Sequence, residues 1–144
     1  MAFIFQCLYV SYRIISEVVR GTGKNISEAV VKLKLANEDE MKIAVAESQG
    51  PVGALDQAAR IAFGAHFPVL RRVQLEDYKV RILQTGAGTA SITQVLVQST
   101  DGQNSWWTSG ADPNIIEASW EALRDSYRYK LLIENDGVIK MPKS

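Results

Sequence analysis

The sequence predicts an α+β fold built from two pseudo-symmetric βββα units, with antiparallel sheets and helices packed on one face. Strand-like and helix-like stretches follow one another in the order strand, strand, strand, helix, and the whole order occurs twice. The two helix starts carry the same kind of mark, Gly50-Pro51 and Asp112-Pro113, separated by about sixty residues. Asp101-Gly102 between two strand-like runs signals a hairpin, the connection proper to antiparallel strands. The residues of the two halves are only weakly alike, so the duplication is read from the order of elements.

The first ten residues, MAFIFQCLYV, are apolar. They have no basic leading region or small-residue cleavage site and are too short to span a bilayer. They read as a linker or an interface strand. Residues 11–19, 27–35 and 39–47 are strand-like, with Val31, Leu33 and Leu35 alternating against Lys32 and Lys34. Gly21, Gly23 and Asn25 mark the first turn and Asn37-Glu38-Asp39 the second. Proline then opens a first helix carrying Ala54, Leu55, Ala58, Ile61, Ala62 and Phe63 at helical spacing. The second round has strands at 75–84, 91–99 and 104–109, with Gly86 and Gly88 at one turn and Asp101-Gly102 at the next. The second helix starts at Asp112-Pro113, where Asp112 is available as its cap, and it aligns Ile116, Trp120, Leu123, Tyr127 and Leu131 on one face. Residues 135–144, with Gly137 and Pro142, read as a flexible tail.

At 144 residues and 15.9 kDa the chain is one domain in size, far short of the roughly 250 residues of a (β/α)₈ barrel. Sixteen basic and sixteen acidic residues cancel, and the pI is about 6.6, so there is no excess of positive charge for nucleic acid or an anionic membrane. One cysteine, Cys7, forms no internal disulfide and fits a reducing, cytoplasmic setting. One histidine, His66, in the apolar run GAHFP, has no acidic or nucleophilic neighbour in sequence and reads as structural. No catalytic residues and no metal ligands are assigned.

Several motifs fail on their own chemistry. Gly21-Thr22-Gly23-Lys24 lacks the glycine and the following Ser or Thr of a phosphate loop, because Val18 and Asn25 stand there. Thr85-Gly86-Ala87-Gly88-Thr89 leads into a strand and so has no helix start to hold a pyrophosphate. Asn25-Ile26-Ser27 matches a glycosylation acceptor without a secretory signal. Trp106-Trp107 puts one indole on each face of a strand, so one joins the core and the other favours a subunit interface over a sugar platform.

The helix starts carry more. Each exposes orphan amides and a positive dipole end, a seat for a carboxylate. The first, at Gly50-Pro51, has no side-chain cap, which leaves the amides of Val52 and Gly53 open beneath two glycines. Tyr78, Val80 and Ile82 share one face of their strand, Lys79 and Arg81 the other. An anion seat near an apolar and aromatic wall suits a branched-chain amino acid. The same facts fit two ordinary amphipathic helices packed on sheets.

The ordered blocks Gly50-Pro51-Val52-x-Ala54-Leu55-Asp56, Leu75-x-Asp77-Tyr78-Lys79-Val80-Arg81-Ile82-Leu83, Gly88-Thr89-Ala90, Ser99-x-Asp101-Gly102, Trp106-x-Thr108-x-Gly110 and Asn114-Ile115-Ile116-Glu117-Ala118-Ser119-Trp120-x-Ala122-Leu123 carry a family likeness. Over residues 11–133 they resemble the C-terminal allosteric domain of the 2-isopropylmalate synthase family, with the citramalate synthases nearest. The resemblance implies a regulatory domain over 11–134, unit one at about 11–67 and unit two at about 75–133, that dimerises and binds an end-product amino acid between its units. The effector contacts it implies are Gln49, Gly50, Val52, Gly53, Leu75, Tyr78, Ile82, Thr89, Ala90, Ile92, Pro113 and Ile115. Gln49 stands where the family usually has Asn, Gly53 where it often has Asp, and Gly110-Ala111-Asp112 where a Gly-Val-Ser type sequence is usual. Trp107 is a further departure.

The resemblance further implies that the divalent metal and acetyl-CoA of such enzymes belong to a catalytic barrel, so this chain holds no cofactor and catalyses nothing alone. Its implied partners are free isoleucine or leucine, a second copy and the parent barrel, with no nucleic acid and no membrane. Isoleucine and leucine differ by the position of one methyl group, a discrimination of ~1–3 kcal/mol; likeness to citramalate synthases favours isoleucine. The alternative is a stand-alone amino-acid-binding or interaction module. A small enzyme is disfavoured, because no acid/base pair can be named.

Overall fold

The computed structural model describes residues 8–18, 25–35, 40–84 and 91–134, with 8–18, 25, 35 and 84 described through their backbone. Residues 1–7 with Cys7, the turn glycines 21 and 23, the turn at 37–39, Gly86, Gly88, Thr89, Ala90 and the tail 135–144 lie outside the described residues. The chain divides into two compact units, unit two being Arg72–Lys130 and unit one the remainder. Each contributes strand, strand, strand, helix in order, giving two three-stranded antiparallel sheets.

Unit one pairs β1 (Leu8–Val18), β2 (Asn25–Leu35) and β3 (Lys42–Ser48) in the order β1-β2-β3. β1 starts three residues before the expected position because it pairs with β2 along its whole length, from Leu8 with Leu35 to Val18 with Asn25. The alternation of β2 is obeyed, with Ala29, Val31 and Leu33 fully buried beside Ala44 and Ala46 of β3. Helix α1 (Pro51–His66) packs on β2 and β3. Its buried Ala54, Ala58, Ala59 and Ala62 keep the helix surface low against the small alanines of β3, while Leu55 and Phe63 fill the remaining volume. A 3-10 turn (Pro68–Arg72), not foreseen from the sequence, follows and buries Leu70. His66 closes α1 with its ring 6.4 Å from that of Phe67.

Unit two pairs β4 (Gln74–Gln84), β5 (Ser91–Thr100) and β6 (Ser105–Asp112), followed by α2 (Ile115–Glu134). β6 runs to Asp112, three residues beyond the expected end, because Asp112 still pairs with Thr93. The Asp101-Gly102 signal marks a hairpin with a four-residue loop: Thr100 pairs with Ser105, and Gly102 takes the left-handed backbone its lack of Cβ permits, φ 93°. The Asp101 carboxylate closes the loop by accepting from the amides of Gln103 (2.9 Å) and Asn104 (2.7 Å).

Helix α2 and β6 meet along a regular ladder. Thr108 Oγ1 donates to the Ala122 carbonyl (2.7 Å) and the Trp106 indole to the Ser126 carbonyl (3.1 Å), and Lys130 then reaches Asp101 in the loop (2.7 Å). Two strand residues advance about as far as four helical ones, roughly 6 Å, so the contacts stay in step. Of the face expected from Ile116, Trp120, Leu123, Tyr127 and Leu131, the last four are buried and Ile116 is half-buried, and the row Ala118, Ala122, Ser126 and Lys130 beside it is buried as well.

The second helix corrects one expectation. Asp112 ends β6, and its carboxylate takes the Asn114 amide (2.8 Å); the cap is Asn114, whose side-chain oxygen accepts from Ile116 (2.8 Å) and Glu117 (3.4 Å). Pro113 thus precedes the cap instead of opening the helix. The Asn-x-x-Glu spacing of Asn114 and Glu117 is a capping-box signature that carries this in the sequence.

Candidate functional site

The start of α1 has the unsatisfied character expected of it. Gly50 is the N-cap residue in an extended conformation (φ −137°, ψ 158°), no side chain caps it, and no acidic residue stands in the first turn. The first intrahelical bond runs from the Ala54 amide to the Gly50 carbonyl (3.1 Å), so the amides of Val52 and Gly53 precede the helical ladder. α2, by contrast, has the Asn114 cap and Glu117 in its first turn.

The two glycines differ. A Cβ on Gly50 would meet nothing within 4 Å, whereas one on Gly53 would lie 2.7 Å from Ser48 Oγ. Gly53 therefore accommodates the last residue of β3 as well as leaving the helix start bare. Gln49 is exposed and Val52 buried beside them, so Gln49, Gly50, Val52 and Gly53 form one local group in unit one.

In unit two, Tyr78 pairs with Val97, Val80 with Val95 and Ile82 with Thr93, and the three lie on the face that carries buried Val95 and Val97. Leu75 pairs with Ser99 on the same face, across an irregularity between Leu75 and Asp77. Tyr78 Oη is 3.4 Å from Ser119 Oγ; since Ser119 donates its one proton to the Ile115 carbonyl (2.7 Å), Tyr78 is the donor. The ring is thereby oriented from the first turns of α2. Ile82 is 70% exposed, and Val80 and Ile115 about 41%. Pro113 is also exposed. Ile92 pairs with Leu83 and lies on the opposite face of the sheet from Tyr78 and Ile82. Thr89 and Ala90 lie outside the described residues.

The tryptophan pair divides as strand alternation requires. Trp106 is buried with its ring 5.3 Å from that of Tyr129, and Trp107 is 46% exposed on the other face with Lys79 Nζ 5.1 Å above its ring. The Asp101–Lys130 pair is structural: both side chains are nearly buried. The Lys130 ammonium and the Asn104 and Gln103 amides hold the Asp101 carboxyl well below the usual carboxylate range. Among the described residues no three His, Cys, Asp or Glu side chains are grouped to hold a metal ion, and no helix is long and apolar enough to cross a membrane.

Two serines carry no role in the sequence pattern: Ser48, which faces Gly53 within unit one, and Ser119, which meets Tyr78 within unit two. Serine at a strand end or inside a helix carries no periodic signal, and only the close approach of Gly53 or Tyr78 identifies it.

The family model described as the LeuA allosteric (dimerisation) domain matches residues 10–131. Over 130 residues the chain is 42% identical to the (R)-citramalate synthase of Aquifex aeolicus, covering 90% of this chain and 24% of that protein. It is 46% identical to the (R)-citramalate synthase of Streptomyces coelicolor over 122 residues (85% and 22%) and 43% identical to that of Geobacter sulfurreducens over 122 residues (85% and 23%). The chain thus spans about a quarter of the length of the curated relatives it matches.

Proposed function

The chain belongs to the LeuA allosteric (dimerisation) domain family, and from that premise we propose that it is the feedback-sensing part of a citramalate synthase-type enzyme, binding a free branched-chain amino acid. The parent enzyme is an acetyl-CoA-dependent acyltransferase of branched-chain amino-acid biosynthesis, its divalent metal and its chemistry residing in a catalytic barrel. This domain supplies the effector site and joins two copies.

The observation that carries the proposal is the start of α1. A helix that leaves its first amides without a side-chain cap or an acidic neighbour favours an incoming carboxylate, by hydrogen bonding and through its dipole. The effector's carboxylate sits at the amides of Val52 and Gly53, with Gln49 and Gly50 beside them. The family resemblance adds Leu75, Tyr78, Ile82, Thr89, Ala90, Pro113 and Ile115 as effector contacts; Ile92, on the opposite face of the sheet from Tyr78 and Ile82, is not among them. Of these, Tyr78 offers its ring face, its hydroxyl being engaged by Ser119.

Isoleucine is the favoured effector because the relatives are citramalate synthases. Titration calorimetry of the chain with isoleucine and with leucine tests the reading. Isoleucine binding more tightly than leucine supports it, and failure of both at about 10 mM rejects it.

A further inference from the structure

We propose that unit one carries a second ligand site, separate from the α1 start, for a small organic oxyanion: a carboxylate or phosphate attached to an apolar body. The site is a groove of about 390 Å³ lined by Gln57, Arg60, Ile61 and Arg71. The first three stand at helical positions i, i+3 and i+4 on one face of α1, and Arg71 comes from the 3-10 turn that follows.

The Arg60 guanidinium is held by an ion pair, and Arg71 is placed through its stem. Arg60 Nε donates to the Asp56 carboxylate at 3.0 Å, and that carboxylate is buried, with 3% of its side chain exposed. This bond uses one edge of the guanidinium and leaves its terminal N–H groups without a carboxylate among the described residues. Arg71 is positioned differently: its stem lies across Gly64, where a Cβ would come within 2.8 Å of Arg71 Cγ. Gly64 is buried near the end of α1, in a helix where alanine is otherwise frequent and glycine costs about 1 kcal/mol of helix propensity. The bare backbone there lets the Arg71 stem lie flat against the helix. No carboxylate partners Arg71 among the described residues.

The charge and shape select the ligand class. Asp56 offsets one of the two guanidiniums, so the groove carries one net positive charge. The planar guanidinium fork matches a carboxylate or phosphate in bidentate fashion. Ile61, 58% exposed, supplies an apolar wall beside the charges, and the Gln57 amide offers both a donor and an acceptor. A bare inorganic ion would leave the isoleucine wall unused.

The test uses the whole chain with phenyl phosphate, benzoate and inorganic phosphate as probes, followed by amide chemical shifts at constant ionic strength. Phenyl phosphate or benzoate should bind in the millimolar range, with shifts centred on Gln57–Ile61 and Gly64–Arg71. Arg71→Gln should weaken binding about tenfold or more through loss of a charged hydrogen-bonding partner. Arg71 is exposed, so the variant should unfold at the parent's temperature. Gly64→Ala should weaken binding by displacing the Arg71 stem, whereas Gly50→Asp should leave it unchanged, which separates this site from the effector site. No binding of either aromatic probe at about 10 mM overturns the proposal, as does undiminished binding by Arg71→Gln. Inorganic phosphate binding as tightly as phenyl phosphate overturns the apolar body.

Discussion

Gly110 of β6 lies directly beneath the backbone carbonyl of Ala118 in α2, so close that a Cβ on Gly110 would overlap the carbonyl oxygen and press on the Glu121 Cβ. The glycine's own Cα–H fills that position instead. It forms the first rung of the ladder continued by Thr108 to Ala122 and Trp106 to Ser126. Helix and strand thus sit at backbone contact at one end and at the width of an indole at the other.

Gly110→Ala should therefore push α2 from the sheet and destabilise the chain by about 1–3 kcal/mol, the range for overpacking a rigid interface. Equilibrium denaturation measures it. A change of a few tenths would mean that helix and sheet separate freely at this point.

The Asp101–Lys130 pair should behave as a buried charge pair whose halves cannot be removed singly. Lys130→Met should cost about 3–5 kcal/mol, because it leaves the nearly buried Asp101 carboxylate without its ammonium partner. The Asp101 carboxyl is lowered in the folded state. Its contribution should be complete above the unfolded value of about 3.9 and be lost as pH falls from there toward the lower folded value. Acid titration of stability should show that loss in the parent chain and a shallower slope in Asp101→Asn.

The chain should sediment at twice its 15.9 kDa mass, as a dimerisation domain of this family is expected to. A concentration-independent mass of one chain at micromolar concentration would contradict the proposed homodimer.

How much of this was legible in the sequence varied with how local the signal was. The strand order, both helices and the Asp101-Gly102 hairpin follow from periodicity and turn chemistry, which neighbouring residues determine. Pairing with a neighbouring strand carries β1 back to Leu8 and β6 on to Asp112, past the ends that their own patterns mark. Asp112 offers a capping carboxylate by its residue type, yet the Asn114 and Glu117 capping box two residues on is the one the helix uses. The uncapped α1 start is legible because Gly50-Pro51 has no side-chain oxygen to offer. That Gly53 also makes room for Ser48, or that Ile92 lies across the sheet from Tyr78, depends on packing and register, which no single segment encodes.

Ligand-linked stability gives an independent test of the proposed effector site. A saturating effector at about a hundred times its dissociation constant should stabilise the folded chain by about 2.7 kcal/mol. Tyr78→Phe should preserve most of that gain, since the hydroxyl is engaged by Ser119, and Tyr78→Ala should remove much of it. Thermal unfolding with and without isoleucine distinguishes the two variants.

A carboxylate of the protein's own can be placed where the proposed effector's carboxylate is to sit. Gly50 has open space around its missing Cβ and an extended backbone that any residue adopts, so Gly50→Asp and Gly50→Ala should both fold. The aspartate caps α1 and should stabilise the chain by about 0.5 kcal/mol. Calorimetric titration of isoleucine should then give parent-like binding for Gly50→Ala and none for Gly50→Asp. Equal binding by the two variants would contradict a carboxylate seat at the start of α1.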